Sequence, residues 1–211
     1  LQTIVDNSGS YSQMNGVITA LNGLSTNAQV AKAVDSTTPQ TTTSSFTASN
    51  QISNNVSNIV TQRQTITMNG ATGANSGDEL LASKNMWVKP YGSYGSQENK
   101  NGVNGFDIST YGIGIGVDGE TKNNQQMGLG FFYTKADVDV NNVSQTSDID
   151  VYSLVIYGSA PIVDDKTNVL YQVGYSYQDT SSQRDIAFMS TSAKADYDSH
   201  VASVDVRVLR D

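Results

Sequence analysis

Cysteine is absent from this 211-residue chain. That removes disulfide scaffolds, thiolate metal sites and cysteine nucleophiles together, and it suits an oxidising compartment, where a stray thiol is a hazard. Histidine occurs once, as His200. Charge is scarce, 15% of residues against about 25% in an ordinary globular domain. What charge there is leans acidic, 12 Lys+Arg against 20 Asp+Glu for a net −8. Such a chain has no Lys/Arg footprint to neutralise phosphates, which excludes a nucleic-acid partner. No apolar run approaches the ~18 residues of a membrane helix. The start, Leu1-Gln2-Thr3, carries neither an initiator Met nor a signal-peptide pattern, so the sequence reads as a mature chain or an excised piece.

Hydrophobic residues are also low, at 37%. Ser, Thr, Asn and Gln fill the space left by both classes, and they do so in two textures. Over residues 1–84 they dominate outright. There Met14, Val17, Ile18, Leu21 and Leu24 follow helical spacing. Val30, Ala31 and Val34 extend it past an interruption at Gly23 and Ser25. A second candidate helix carries Phe46, Ile52, Val56, Ile59 and Val60 as one narrow apolar stripe. Ser, Thr and Asn are poor helix formers because their side chains compete for backbone hydrogen bonds. The segment is therefore either an unstructured Ser/Thr/Asn-rich linker or a set of weakly apolar helices held inside a polar cavity. Residues 70–85 read as a hinge.

From Met86 onward the pattern is alternation. Tyr111, Ile113, Ile115 and Val117 alternate with glycines, as do Met127, Leu129, Phe131 and Tyr133 with Gly128 and Gly130. Val169, Tyr171, Val173, Tyr175 and Tyr177 form a third apolar face, and Val204, Val206 and Val208 a fourth. Met86–Ser96 and Val151–Gly158 complete six strands of about 9–13 residues, the last apolar on both faces and so of undetermined phase. These are long beside the usual 5–6. The polar connections between them are too short for crossover helices, which predicts an antiparallel up-and-down meander. The fold class is mainly β, preceded by a partly helical linker.

The face opposite the apolar one is Gly, Ser, Thr and Gln, hardly charged for a solvated surface. Tyrosines cluster toward strand ends. Long tilted strands, a lipid face, a polar lumen and aromatic girdles are what a transmembrane barrel requires. The alternative is a soluble β-sandwich or lipocalin-like barrel, against which strand length and uncharged polarity count. In the barrel reading Gly112, Gly114, Gly116, Gly128 and Gly130 face the lumen, either to relieve curvature or to give a threading chain a smooth wall. Asp205 and Arg207 face it too, as an ion pair, and Lys89 is a further candidate. Trp87, Tyr91, Tyr111, Tyr133, Tyr175 and Tyr177 form the interface girdle.

Catalytic chemistry has little material. His200 has Asp196, Asp198 and Ser199 as sequence neighbours, but no Gly-x-Ser-x-Gly elbow is present. Asp137/Asp139, Asp148/Asp150 and Asp164-Asp165 match no calcium loop and read as solvated acids. No catalytic residue, metal ligand or cofactor is assigned.

The order of these signals resembles the C-terminal translocator domain of type V autotransporters of Gram-negative bacteria. The residues carrying the resemblance are a helical stretch ending near Val56–Arg63, then Trp87-Val-Lys-Pro-Tyr-Gly-Ser, then Gly105-Phe-Asp with Tyr111-Gly-Ile-Gly-Ile-Gly-Val-Asp118. Gly128-Leu-Gly-Phe-Phe-Tyr133 and Asp150-Val-Tyr-Ser-Leu-Val-Ile-Tyr157-Gly158 follow. The resemblance implies a twelve-stranded outer-membrane barrel with a helix in its pore. It implies a passenger exported through it, and the barrel-assembly machinery, periplasmic chaperones and outer-membrane lipid as partners. On that basis residues 1–84 are linker and passenger end, and 85–211 the first half of the barrel. The family's terminal aromatic is missing at Val208-Leu209-Arg210-Asp211, so the chain reads as truncated, and such a piece alone is expected neither to insert nor to secrete. Asn50, Asn54, Asn55 and Asn58 mark no self-cleavage site, because Asn is common throughout. The competing function is a porin-like or adhesin-like barrel acting as a surface-binding module.

Overall fold

The computed structural model describes residues 15–37, 41–68, 83–101, 103–121, 125–162 and 167–210. Met14, Asp164-Asp165 and most of the expected hinge lie outside them. Among the described residues three helices come first: α1 Asn15–Asn22, α2 Asn27–Thr37 and α3 Thr41–Met68. The break between α1 and α2 falls at the Gly23/Ser25 interruption. There Thr26 and Gln29 form a reciprocal capping box, each side chain accepting the other's backbone N–H at 3.2 and 3.1 Å. No helix among the described residues is long and apolar enough to cross a membrane.

Six strands follow, β1 Ser83–Gln97, β2 Phe106–Glu120, β3 Gln126–Val140, β4 Gln145–Pro161, β5 Thr167–Ile186 and β6 Thr191–Arg210. They make one antiparallel meander in sequence order, the fold class that the alternation predicts. The strands run 15 to 20 residues, longer than expected. Much of the expected loop Thr180–Ser192 is strand, because its polar side chains still alternate between a covered and a wet face while the β5–β6 ladder continues to Ile186↔Thr191.

A change of phase interrupts the alternation in β2, β3 and β4. Around mid-strand, Tyr111 to Val117, Met127 to Tyr133 and Tyr152 to Ile156 turn their apolar side chains outward. Nearer the 98–105 and 141–144 turns the apolar positions switch parity. Phe106, Ile108, Ala136, Val138, Val140, Ile149 and Val151 point inward and are buried, while Asp107, Asp137, Asp139 and Asp148 take the outside. The switch occurs at one level in all three strands, and the pairing registers run through it uninterrupted. Val151–Gly158 is thereby phased: Val151, Ser153, Val155 and Tyr157 are inward, Tyr152, Leu154 and Ile156 outward.

Helix α3 lies on the inner face, bonds to β1, β2, β4, β5 and β6, from Ser93 to Asp205, and packs on β3. Six strands spaced by 4.7–4.9 Å span about 24 Å if flat, whereas a helix is about 10–12 Å across. The sheet therefore curls round the helix.

Candidate functional site: a helix held by a curved wall

The concave face and α3 form the site. One face of the helix is apolar. Ala48 and Ile52 pack among Phe106, Ile108, Ala136, Val138, Val140, Ile149 and Val151. Val56, Ile59 and Val60 pack on Phe132, Val155 and Tyr157, with Trp87 and Tyr91 at the margin. The narrow stripe seen in sequence is thus the docking face, except that Phe46 points away from it, 67% exposed. The wall it meets is apolar and aromatic over β2–β4. The lumen, expected to be polar, is apolar over this stretch.

The five glycines on this face have a specific use. Aromatic rings sit directly over them. A Cβ at Gly114 would come within 2.6 Å of the Phe132 ring and one at Gly112 within 2.7 Å of Tyr91, while Gly116 faces Trp87 and Gly128 faces Tyr157. Gly130 sits beneath Phe132 and Trp87. The glycines are not bare wall for a sliding chain. They are recesses that let aromatic rings lie against the sheet and support the helix. Trp87 and Tyr91, expected in the girdle, are among these inward rings, which corrects that assignment. Trp87 packs on Phe132 at 5.7 Å between centroids, and Tyr91 bonds Thr134. On the edge strand β1, Lys89 shares the face of Trp87 and Tyr91.

Beside this slab sits a charged clamp. The Arg63 guanidinium donates from Nε to Asp118 Oδ2 at 2.7 Å and from Nη2 to Oδ1 at 2.9 Å. Asp118 is 2% exposed. Tyr157 Oη donates to Asp118 Oδ2 at 2.9 Å, and Trp87 Nε1 donates to Tyr157 Oη at 2.8 Å. A buried carboxylate is tolerable only with its bonds made, and here donors from helix and wall converge on it. One residue on, Gln64 Nε2 donates to the carbonyls of Gly158 and Tyr171. None of Arg63, Gln64, Asp118 or Tyr157 is assigned a role by the sequence analysis. The available signal was isolation: Arg63 is the sole base between Lys32 and Lys84, and Asp118 the sole acid within Tyr111–Asp118.

Against β5–β6 the contacts are largely polar, although Leu170 and Val201 share that face. Gln172 Nε2 donates to Ser57 and to Thr61 Oγ1, and Ser49 Oγ donates to Gln178 Oε1. Asp205 and Arg207 lie on this face, paired at 2.8 Å, with Arg207 also reaching Ser57 Oγ. Against β1–β2, Gln51 and Asn55 donate to Ser93 Oγ.

The convex face is different. Met86, Val88, Ile115, Val117, Leu129, Phe131, Leu154 and Ile156 are exposed. Cross-strand register lines up Ile113, Tyr133, Tyr152, Tyr177 and His200 in one row. Tyr175 lies one row nearer the apolar band, and its Oη is 2.7 Å from His200 Nδ1. Tyr111 lies one row further out, and that row continues as Lys135, Asp150, Asp179 and Asp198. Beyond it, outside the apolar band, Asp137 faces Asp148 directly. Burial, then the hydrogen bond and charge of Asp148, hold the Asp137 carboxyl above the usual carboxylate range. Among the described residues no cluster of acids and histidine is arranged to hold a metal.

An apolar belt edged by tyrosines and then by carboxylates, with a helix in the concave side, defines the wall of a membrane β-barrel. Residues 86–211 match the autotransporter beta-domain, and the chain belongs to that family. It is 33% identical over 96 residues to outer membrane protein B of Rickettsia prowazekii, covering 44% of this chain and 6% of that protein. It is 30% identical over 99 residues to an extracellular serine protease of Serratia marcescens, covering 46% and 9%. The chain thus spans less than a tenth of these relatives' length. Its fold superposes on the translocator domain of autotransporter NalP from Neisseria meningitidis with a TM-score of 0.53 at 12% identity, over 74% of this chain and 52% of that one. Membership places the chain in the Gram-negative outer membrane.

Proposed function

We propose that the chain is part of an outer-membrane translocator: residues 85–211 supply half of a barrel wall, and residues 1–84 supply the linker whose helix α3 fills the pore. The domain exports an N-terminal passenger and is itself non-enzymatic. The observation that carries this reading is the pairing of a lipid-type convex face with a helix seated on the concave one. Unpaired backbone at a sheet edge is costly in lipid, so β1 and β6 need further strands to span a bilayer. Barrel-assembly machinery and periplasmic chaperones are the expected partners in insertion. The clamp at Arg63 and the apolar docking face then hold α3 as a plug, a feature at odds with an open porin-type diffusion pore.

The test uses the full-length protein in a Gram-negative host, with an epitope inserted ahead of residue 15. The reading expects antibody to reach the epitope on intact cells, and deletion of residues 86–210 to keep it inside. An epitope that stays inaccessible in the intact protein, with the barrel inserted, overturns it.

A further inference from the structure

Helix α3 carries four stripes, each recurring every fourth residue, and the sheet meets three of them. Ala48, Ile52, Val56 and Val60 are buried on β2–β4. Ser49, Ser57 and Thr61 bond to β5–β6, and Gln51, Asn55 and Arg63 bond to β1–β2. The fourth stripe is Phe46, Asn50, Asn54, Asn58, Gln62 and Ile66, and every member is exposed. It lies two residues, about 200° of helix rotation, from the docked apolar stripe and so forms the back of the helix. From Phe46 to Ile66 it runs about 30 Å, the depth of a bilayer's hydrocarbon core. Its chemistry is graded, with four carboxamides in the middle and one large apolar side chain at each end, 67% and 47% exposed. Water can serve the amides, but it does not favour Phe46 or Ile66.

A second unmet group lies beside this stripe. Lys89 on β1 is turned to the concave side, and its cross-strand neighbour on β2 is Gly114, which offers no side chain. With Gln62, Arg63 and Ile66 it lines a small cavity of about 140 Å³. Arg63 is engaged by Asp118, and no acid among the described residues lies within ion-pair distance of Lys89. Within membrane-spanning walls ionisable side chains pair with one another. Strand β1 is the edge of the sheet, so the side of Lys89 away from Gly114 is open to a further strand.

We propose that the back of α3 and the inward face of β1 form a docking surface for the strands that follow β6 in the full-length protein, and that the strand pairing with β1 presents a carboxylate to Lys89. The rest of that wall supplies hydrogen-bonding side chains opposite the amides of the stripe, and apolar side chains opposite Phe46 and Ile66. The occupant follows from continuity. The stripe adjoins the three docked ones, spans the same depth and ends beside the free edge of β1. Charge complementarity at Lys89 adds the acid. The inference rests on the translocator reading above.

Zero-length carbodiimide coupling tests it, because the reagent joins an amine to a carboxylate only where the two touch. The protein is full-length, in the outer membrane of cells carrying the epitope ahead of residue 15. Peptide mapping should find Lys89 Nζ amide-linked to an Asp or Glu of the strand that pairs with β1. Lys89→Arg keeps the charge without the reactive amine, so it should lose the link and keep the unfolding midpoint, whereas Lys89→Glu should lower the midpoint. A photo-crosslinking residue at Asn58 should be captured by strands after β6. No Lys89 link, with the epitope displayed, overturns the docking surface and leaves the export reading standing. An unchanged midpoint in Lys89→Glu, or capture of the Asn58 probe only by chain ahead of α3, overturns it too. An epitope kept inside overturns the export reading, and the Lys89 link then still decides the docking surface.

Discussion

The walls on the two sides of α3 grip it by different physics. On β2–β4, Ile52, Val56 and Val60 are buried against rings and branched side chains, and the pair of half-buried Arg63 with buried Asp118 fixes the rotation and height of the helix. On β5–β6 small hydroxyls meet amides across a partly open seam. One wall of the same pore is therefore specific and dry, and the other is polar and yielding. A sheet whose outer face is committed to lipid can still grip a helix unevenly on its inner face.

The sharpest break of this contrast is Arg63→Ala. It leaves the buried Asp118 carboxylate without its cation, and uncompensated buried charge costs about 3–5 kcal/mol. The loss should appear in thermal or denaturant unfolding of the full-length protein in detergent, and Asp118→Ala on top of Arg63→Ala should restore part of it. Ile52→Ala, which empties a site 1% exposed, should cost about 2–4 kcal/mol in the same assay. Gly114→Val puts methyls where the Phe132 ring lies and should cost about 1–3 kcal/mol by overpacking, with reduced protection of α3 amides from hydrogen exchange. On the other wall, Gln172→Ala removes bonds to Ser57 and Thr61 and should cost only about 1 kcal/mol. If it costs as much as Ile52→Ala, the two walls are not unlike.

The smallest effect lies outside the pore. Asp137 and Asp148 oppose each other across β3 and β4, and like charges directly opposite destabilise a sheet. Asp148→Asn should therefore stabilise by about 0.5 kcal/mol at pH 7. The sign with pH follows from the raised Asp137 titration. The folded protein holds that proton more firmly than the unfolded chain, so the contribution is present below the ordinary carboxylate range and lost as pH rises through the raised value. The gain from Asp148→Asn should accordingly fade on acidification.

Much of the architecture could be read from residues alone. Glycines at every second position of Tyr111–Val117, with Gly128 and Gly130 in the next strand, set strand phase, and the short polar links set the meander. The stripe Ile52, Val56, Ile59 and Val60 named the docking face of α3. What stayed hidden depends on contacts that period-two reasoning does not contain. The parity switch between Tyr133 and Ala136 falls where β3 leaves the apolar band, and a strand pattern carries no marker of membrane depth. Trp87 resembles a girdle residue until Gly116 is seen opposite it at the register Trp87↔Gly116. Arg63 and Asp118 were each visible as lone charges, but their partnership spans 55 residues of chain and required the curl of the sheet.

The seating of α3 on this inner wall in the membrane can be read directly. Asn55 Nδ2 lies 2.8 Å from Ser93 Oγ, while Asn54 is exposed and turned away. In the full-length, membrane-inserted protein, the pair Asn55→Cys and Ser93→Cys should form a disulfide on mild oxidation. Helix and barrel then stay covalently joined after cleavage at an engineered protease site within residues 69–82. Asn54→Cys with Ser93→Cys should not. A barrel that inserts normally yet shows no Asn55–Ser93 link, or links both pairs equally, contradicts the account.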